Sequence, residues 1–277
     1  MMTAMRTTKA TMLRRLRRSE VGLNGSSPSF DYIRDPAEIY RRSFKTVRAE
    51  ADLGALPADV ADVAQRLIHA CGMIDLVDDL RWSDGAAEAG RGALRTGATV
   101  FVDAEMVAAG IVRDRLPANN AVICTLNDGT VPERASQLEN TRSAAAVDLW
   151  DERLEGAVVS IGNAPTALFR LMERLIDGAP KPALVLGFPV GFIGAAESKE
   201  ALASGIAGVP FVTLLGRRGG SAMGAAAVNA LAGEMGWTPP IPDVLGLEGL
   251  VGPSRADGIK VPRGKSKLFA GKPEDPR

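Results

Sequence analysis

Five short apolar runs, rich in β-branched residues, constrain the fold of this chain more than any other feature of its sequence. They span residues 99–102, 121–126, 157–161, 183–186 and 211–215. Segments with helical patterning separate them, notably 142–153, 165–177, 197–203 and 221–235. Buried strands that alternate with helices are typical of a parallel sheet covered by helices on both faces. We therefore predict an α/β domain.

The two ends of the chain differ in charge from its middle. Residues 1–30 carry six Lys or Arg and one Glu, and residues 253–277 carry seven Lys or Arg and three acids, in a chain with 33 of each sign. The body between them is therefore acidic. We expect a disordered basic leader at 1–30, a single domain at 31–238 and a Pro/Gly-rich basic tail at 239–277. With only 5% aromatic residues, such a body is not expected to bind nucleic acid.

Composition and motifs argue against several classes of protein. Two cysteines are too few for a disulfide framework or a thiolate metal site, and they favour a cytoplasmic location. Since no uninterrupted apolar run approaches the ~20 residues of a membrane helix, no membrane association is expected. Neither a P-loop nor a G-x-G-x-x-G motif follows the expected strands, which makes a nucleotide-dependent enzyme a poor alternative. We expect no metal and no cofactor.

His69 is the only histidine of the chain, so any mechanism that needs a side chain titrating near neutral pH depends on it. It lies in a predicted helix from Pro57 to about Asp75. Apolar residues recur there at Val60, Val63, Ala64, Leu67, Cys71 and Ile74. On a helix His69 lies roughly 200° from Leu67, opposite this stripe. The pattern argues against a core histidine and leaves an acid–base group and an idle surface residue equally open.

An earlier helix carries two further polar residues. Asp35 and Pro36 are typical of a helix start, and the pattern continues towards Glu50. Tyr40 and Ser43 are three positions apart on this helix and share a face. By themselves they favour an ordinary helix surface over a functional pair.

Polar or glycine-rich residues follow each expected strand, where open parallel sheets bind their ligands. They include Asp103, Asn163 and the segment Gly216-Arg217-Arg218-Gly219-Gly220-Ser221. The last combines arginines with glycines before a helix, which favours anion binding over a glycine-rich turn with solvated arginines. Thr141 and Arg142 open another helix, and an arginine there opposes the helix dipole, which suggests an anionic ligand.

Seven segments together resemble the precorrin-8X methylmutase family of cobalamin biosynthesis. In the family's order, they are 40–44, 66–72, 116–120, 140–150, 161–171, 187–199 and 216–223. The most specific are Ala164-Pro165-Thr166-Ala167-Leu168-Phe169 and Gly187-Phe188-Pro189-Val190-Gly191-Phe192, the latter followed by Glu197-Ser198-Lys199. The resemblance covers roughly residues 31–235.

The resemblance implies an isomerase that moves a methyl group from carbon 11 to carbon 12 of ring C, converting precorrin-8X to hydrogenobyrinate without a cofactor. It also implies a homodimer with a three-layer α/β/α, flavodoxin-like fold and a doubly wound parallel sheet of about five strands. His69 would be the acid–base residue. The expected substrate-binding residues are Tyr40, Ser43, Thr141, Arg142, Asn163, Arg217, Gly219, Gly220 and Ser221.

Two alternatives remain at this point. One is a methylmutase that acts on the cobalt-bearing substrate of the anaerobic route, cobalt-precorrin-8. The other is a carrier that binds a corrinoid without converting it.

Overall fold

The computed structural model describes residues 30–205 and 207–233. The leader expected at the N-terminus, up to residue 29, and the tail expected at 239–277 lie outside the described residues. Six strands are described: β1 (Leu80–Trp82), β2 (Val100–Val102), β3 (Val122–Cys124), β4 (Val158–Ile161), β5 (Leu184–Gly187) and β6 (Phe211–Leu214). The described helices are α1 (Pro36–Glu50), α2 (Ala58–Cys71), α3 (Ala86–Arg95), α4 (Glu105–Gly110), α5 (Val131–Gln137), α6 (Arg142–Val147), α7 (Pro165–Ile176), α8 (Ala195–Ala203) and α9 (Ser221–Ala232).

The strands form one sheet in the order β1-β6-β5-β4-β2-β3. Strands β2 to β6 pair in parallel, as predicted, and each matches one of the five apolar runs. If these five are numbered along the chain, their order is 2-1-3-4-5, the flavodoxin-like order. The sequence order reverses between β2 and β4, so the ligand-binding crevice of such sheets is expected at their carboxyl ends.

Strand β1 corrects the expected number of strands from about five to six. It pairs antiparallel with β6, with Leu80 opposite Leu214 and Trp82 opposite Val212. Its three residues are too short to give a periodic signal, and Arg81 in the middle is exposed. An antiparallel strand is a common edge of an otherwise parallel sheet.

Alternate strand residues pack on opposite faces of the sheet. On one face Val100, Val102 and Leu186 join a core cluster with residues of α2, α3, α4 and α9. On the other face Phe101 and Val185 join a second cluster with residues of α6, α7 and α8. The result is the predicted three-layer arrangement with helices on both sides.

Two helix boundaries differ from the prediction. Helix α2 ends at Cys71 rather than near Asp75, because Gly72 adopts a left-handed conformation with φ 72° and a separate 3-10 turn follows over Ile74–Asp79. The segment predicted as one helix at 142–153 divides into α6 and a 3-10 turn over Asp151–Leu154. By contrast, α1 begins as predicted, with the Asp35 carboxylate accepting from the Ala37 amide.

Within the described part of the chain, no helix combines the length and the apolar character that a bilayer crossing requires. Over the same residues, the structure brings together no group of three or more His, Cys, Asp or Glu side chains suited to holding a metal ion.

Candidate active site

The single histidine is held where α1 crosses α2. His69 Nδ1 lies 2.7 Å from the hydroxyl oxygen of Ser43. Its imidazole stacks on the ring of Phe44 at a centroid distance of 5.0 Å and contacts the ring of Tyr40 at 5.1 Å. Helix α1 therefore covers the face of α2 opposite its core stripe, and it brings two of the expected substrate-binding residues, Tyr40 and Ser43, to the histidine. Nδ1 is anchored, whereas Nε2 has no hydrogen-bond partner among the described residues.

The surroundings of His69 favour its neutral form. Partial burial lowers the pKa of the imidazole below its usual 6.5, and the positive charge of Arg66, one turn earlier on α2, lowers it further. A hydroxyl group both donates and accepts, so Ser43 can bind Nδ1 in either protonation state of the ring. The histidine is thus oriented without being fixed in one state of charge.

His69 opens into a cavity of about 240 Å³ between α2 and α9. Its walls include Tyr40, Arg66 and Arg115. On the α9 side the lining residues are small, at Ala222, Ala225 and Ala226, and they leave room beside the imidazole. Because α9 begins just after β6, this wall starts at the carboxyl edge of the sheet.

At that edge, the side chain of Asp103 binds the backbone amides at the start of α7, a helix whose own N-cap residue offers no side-chain acceptor. Its buried carboxylate accepts from the amides of Gly162 (2.8 Å), Asn163 (3.0 Å) and Ala164 (2.7 Å). Ala164 is the N-cap residue and has no side-chain oxygen of its own. Burial raises the pKa of the Asp103 carboxyl, and the three amide hydrogen bonds oppose that shift. The carboxyl end of β2 thus fixes the turn that carries Asn163.

The Asn163 turn packs directly on the start of α9. A Cβ atom on Gly162 would lie 3.0 Å from the Cα atom of Ser221, so the two backbones approach as closely as glycine allows. The next residue, Ala222, lines the His69 cavity. The turn that carries Asn163 therefore contacts Ser221, one position before a residue that lines the His69 cavity.

The Gly216–Ser221 loop corrects one part of the anion-site prediction. The Gly220 amide donates to the Phe188 carbonyl at 2.8 Å, so it is already used within the protein. Arg218 is also engaged, with its guanidinium bound to Asp75 at 2.8 Å and to Asp79 at 2.6 Å. Arg217 differs: its exposed guanidinium lies 5.3 Å from the ring centroid of Phe192. Among the described residues, the Arg217 side chain forms no hydrogen bond or ion pair.

Packing alone requires a glycine at position 219. A Cβ atom there would lie 2.4 Å from the carbonyl oxygens of both Phe188 and Pro189. We expect Gly219→Ala to destabilise the protein by about 1–3 kcal/mol through overpacking. Gly92→Ala in α3 is the matched control, because a Cβ there meets nothing within 4 Å. Urea unfolding should show that the control is unchanged or stabilised by about 0.5–1 kcal/mol; equal stability of the two variants would contradict this assignment.

Thr141 and Arg142 lie at the same edge but apart from the histidine. The Thr141 hydroxyl caps α6 by accepting from the Ala144 amide, and it lies 2.8 Å from the hydroxyl of Thr166 in α7. The exposed Arg142 guanidinium donates to the Leu126 carbonyl at 3.2 Å and to the Asn127 side chain at 3.4 Å. No hydrogen bond or ring contact within the described residues joins either side chain to His69.

A second, more open cavity lies beside the β5–α8 loop. Its volume is about 300 Å³, and Val190, Phe192 and Arg217 are among its lining residues. Phe192 is 81% exposed, and the adjacent Ile193 is 88% exposed. Apolar side chains next to a guanidinium suit a flat ligand that carries carboxylates.

Sequence reasoning missed several residues that shape the site. Arg66 and Phe44 contact the His69 environment directly, but neither was singled out, although both fall inside segments of the family resemblance. The spacing of Arg66, three positions before His69, was a usable signal. Arg115 lies outside those segments and gave no comparable signal, whereas Lys199 ends one of the most specific of them. Lys199 is fully buried and donates to the Arg218 carbonyl, and burial lowers the pKa of its amine to about 8.

The fold is a flavodoxin-like α/β domain, and it holds the single histidine of the sequence beside a cavity whose walls include two arginines. A family model described as precorrin-8X methylmutase (CbiC) matches residues 38–234. A precorrin-8X methylmutase from Pseudomonas aeruginosa is 66% identical over 204 residues, which cover 74% of this chain and 98% of that protein. A cobalt-precorrin-8 methylmutase from Priestia megaterium is 36% identical, over 71% of this chain and 87% of its own length.

Solved structures agree with these sequence comparisons. The crystal structure of a precorrin-8X methylmutase from Thermus thermophilus superimposes with a TM-score of 0.64 at 40% identity, and it covers 70% of this chain and 95% of that one. The chain belongs to the precorrin-8X methylmutase family. It is an isomerase of cobalamin biosynthesis.

Proposed function

We propose that the protein converts precorrin-8X to hydrogenobyrinate by moving a methyl group from carbon 11 to carbon 12 of ring C, with His69 as the acid–base residue. The observation that carries this proposal is the anchored imidazole beside a cavity: Ser43 holds Nδ1, and Nε2 has no hydrogen-bond partner in the part of the chain that the structure describes. The resemblance to the family supports the same residue.

The chemistry requires little beyond a positioned proton. A 1,5-sigmatropic methyl shift forms one carbon–carbon bond as it breaks another, and it needs no nucleophile. A proton delivered from Nε2 at or near the ring C nitrogen draws electron density and favours migration. The same nitrogen recovers the proton afterwards, so the product is an isomer of the substrate. Ser43 supports both stages, because its hydroxyl oxygen accepts from Nδ1–H in the imidazolium and also in the neutral ring that remains when Nε2 has given up its proton.

The metal-free substrate is favoured by the relatives. The precorrin-8X methylmutases from Pseudomonas aeruginosa and Sinorhizobium are 66% and 58% identical to this chain. Cobalt-precorrin-8 methylmutases from Priestia megaterium and Salmonella typhimurium are 36% and 40% identical. We therefore assign the substrate without cobalt to this protein.

The remaining predicted contacts are proposed to hold the macrocycle and its carboxylate arms. The exposed guanidiniums of Arg142 and Arg217 supply positive charge at the edge of the sheet. Such anchors are needed because the acidic body would otherwise repel a polycarboxylate. The proposed binding surface is completed by Tyr40, Thr141, Asn163, Gly219 and Ser221. Gly220 belongs to the same surface, but its amide already donates to the Phe188 carbonyl and so does not bind the substrate.

We also infer that the protein is a cytoplasmic homodimer. Residues 31–238 of each copy would form a single domain. The dimer is supported by the apolar side chains of Phe192 and Ile193, which one copy leaves exposed. It is also supported by the separation of Arg142 from His69 within one chain, which a second copy would compensate by completing the site. Sedimentation equilibrium of the full chain tests this: twice the monomer mass is expected, and a monomer at micromolar concentration would refute it.

Incubation of the purified protein with precorrin-8X tests the activity. The absorption spectrum should change to that of hydrogenobyrinate, and cobalt-precorrin-8 should be converted more slowly. Binding of a coloured corrinoid without conversion would instead identify a carrier and overturn the proposal. Faster conversion of the cobalt form would overturn the substrate assignment alone.

The pH dependence of His69 can be measured without ambiguity, because the chain has one histidine. In the free protein we expect its imidazole NMR signal to titrate with a pKa below 6.5, since burial and Arg66 both disfavour the cation. If the cation is the active form, kcat/KM falls as the pH rises through that pKa. A midpoint at or above 6.5 would contradict the structural interpretation.

A further inference from the structure

Lys199 is a buried lysine to which the methyl shift described above gives no role. It lies on α8 and is 0% exposed, although lysine is almost never fully buried unless it is paired. Burial is the main reason that the pKa of its amine falls to about 8; the Asp79 carboxylate opposes this shift and the Arg218 guanidinium adds to it. An apolar side chain of the same length would fit this position at a lower cost in stability. The packing of the core therefore does not explain the charge.

The amine of Lys199 binds the backbone of the glycine-rich loop. Its Nζ donates to the carbonyl oxygen of Arg218, in the middle of the Gly216–Ser221 loop and 19 positions later in the chain. This is the only hydrogen bond of the amine within the described residues. Because a charge-assisted hydrogen bond is roughly twice as strong as a neutral one, this contact holds the loop firmly on α8.

Backbone contacts before and after this bond hold the same loop. The Gly191 amide donates to the Arg217 carbonyl at 3.3 Å, and the Gly220 amide donates to the Phe188 carbonyl at 2.8 Å. Of these three contacts, the one made by Lys199 comes from a side chain. A substitution can therefore remove it and leave the other two in place.

Two carboxylates compensate the charges at this junction. Asp75 and Asp79 bind the guanidinium of Arg218 at 2.8 Å and 2.6 Å, and Asp79 also attracts the amine of Lys199. Both acids belong to the 3-10 turn over Ile74–Asp79, which follows the helix that carries the histidine. At Arg218 the loop is thus joined both to α8 and to this turn.

We propose that Lys199 is a positioning residue for corrinoid binding, because it holds the loop that presents the guanidinium of Arg217. The carbonyl that it binds belongs to the next residue along the chain. Arg217 is exposed and lines the second cavity with Phe192. Lys199 is shielded from solvent and does not line that cavity, so it acts through Arg217 and does not touch the substrate. This inference rests on the proposed function, in which Arg217 anchors a carboxylate arm.

A double-mutant cycle tests whether Lys199 acts through Arg217. The affinity for hydrogenobyrinate is measured by absorption for the full-length wild type, Lys199→Met, Arg217→Gln and the double variant. Arg217→Gln should weaken binding about ten- to a hundredfold, as expected for loss of a charge-assisted hydrogen bond, and Lys199→Met about tenfold. In the double variant Lys199→Met should add less than about twofold, because the side chain that it positions is already absent.

Lys181→Met is the matched control. Lys181 also donates to a backbone carbonyl, that of Gly208 at 3.2 Å, but it is exposed and lines neither the second cavity nor that of His69. Its affinity should be unchanged. Lys199→Arg keeps a charged donor and should bind more tightly than Lys199→Met. Urea unfolding checks that each variant is folded, and Lys199→Gln takes the place of Lys199→Met in the cycle if the latter is not.

The single-turnover rate with saturating precorrin-8X gives a second measurement. Lys199→Met should leave this rate within about twofold of wild type, because no contact to His69 is lost. Unchanged affinity in the folded variant, or an effect fully retained in the Arg217→Gln background, would overturn the positioning role if wild type still converts precorrin-8X. Failure of wild type to convert it would overturn the proposed function instead.

Discussion

His69→Ala is expected to lower kcat for the methyl shift by a factor of about 10²–10⁴, the usual contribution of a positioned general acid–base group. The affinity for hydrogenobyrinate should change far less, because the proposed anchors for the carboxylate arms are arginines. His69→Gln should be similarly impaired: its amide can still bind Ser43, but it cannot exchange a proton near neutral pH. Single-turnover rates and a binding titration separate the two effects.

The control for this experiment lies on the same helix as Ser43. Lys45 is exposed on α1 and does not line the His69 cavity, so Lys45→Ala should keep wild-type turnover. The melting temperature of each variant reports whether the stacking of His69 on Phe44 matters for folding. A His69→Ala protein that is folded and retains wild-type kcat would exclude His69 as the acid–base residue and leave the family assignment intact.

The five parallel strands could be predicted because the signal for each strand lies in a few consecutive residues. Each parallel strand is a short apolar run between turns, whereas the flavodoxin-like strand order was implied by the family resemblance and not by the local pattern. Strand β1 lacked such a signal because it has three residues, one of them an exposed arginine, and it depends on pairing with β6, more than 120 positions later. Its formation is a tertiary effect that periodicity does not report.

The site was predictable in parts for the same reason. Helical spacing placed His69 opposite the core stripe of α2, and the contact with Ser43 then required only that α1 pack on that face. The place of Arg115 in the cavity wall did not follow from any local pattern, since the preceding segment is held to α9 by the hydrogen bonds of Asn229 with Val112 and Gly110, across 117 and 119 positions. In the glycine-rich loop, the sequence showed which residues were unusual but not that the Gly220 amide binds the Phe188 carbonyl.

Asp103 links the sheet to the candidate site through contacts between residues that are far apart in the sequence. It was predicted as one of several polar residues after a strand, with no specific role. The structure gives it three amide donors from residues 162–164, which are 59 to 61 positions away. That turn packs on Ser221, and the next residue of α9 lines the His69 cavity. The carboxylate thus supports the wall of the cavity without touching the imidazole.

Asp103→Ala is therefore expected to be among the most destabilising single substitutions in the domain. Asp103 is 3% exposed, so its removal leaves three amides without an acceptor in a place that water reaches poorly. Each unsatisfied buried donor costs about 1–3 kcal/mol, and partial relaxation brings the expected total to about 3–5 kcal/mol. At about 2–4 °C per kcal/mol, the melting temperature should fall by roughly 6–20 °C.

A matched pair of variants separates the Asp103 hydrogen bonds from the loss of side-chain volume. Asp103→Asn keeps the shape, but its NH₂ group replaces one acceptor and points at amide donors, so it should recover little of the lost stability. Asp84→Ala, at an exposed aspartate in a turn, should leave the melting temperature unchanged. If Asp103→Asn matched the wild type in urea unfolding, the three amide contacts would carry little free energy. Because the Asn163 turn would then not depend on the carboxylate, the support of the cavity wall would have to come from the close packing of Gly162 on Ser221 instead.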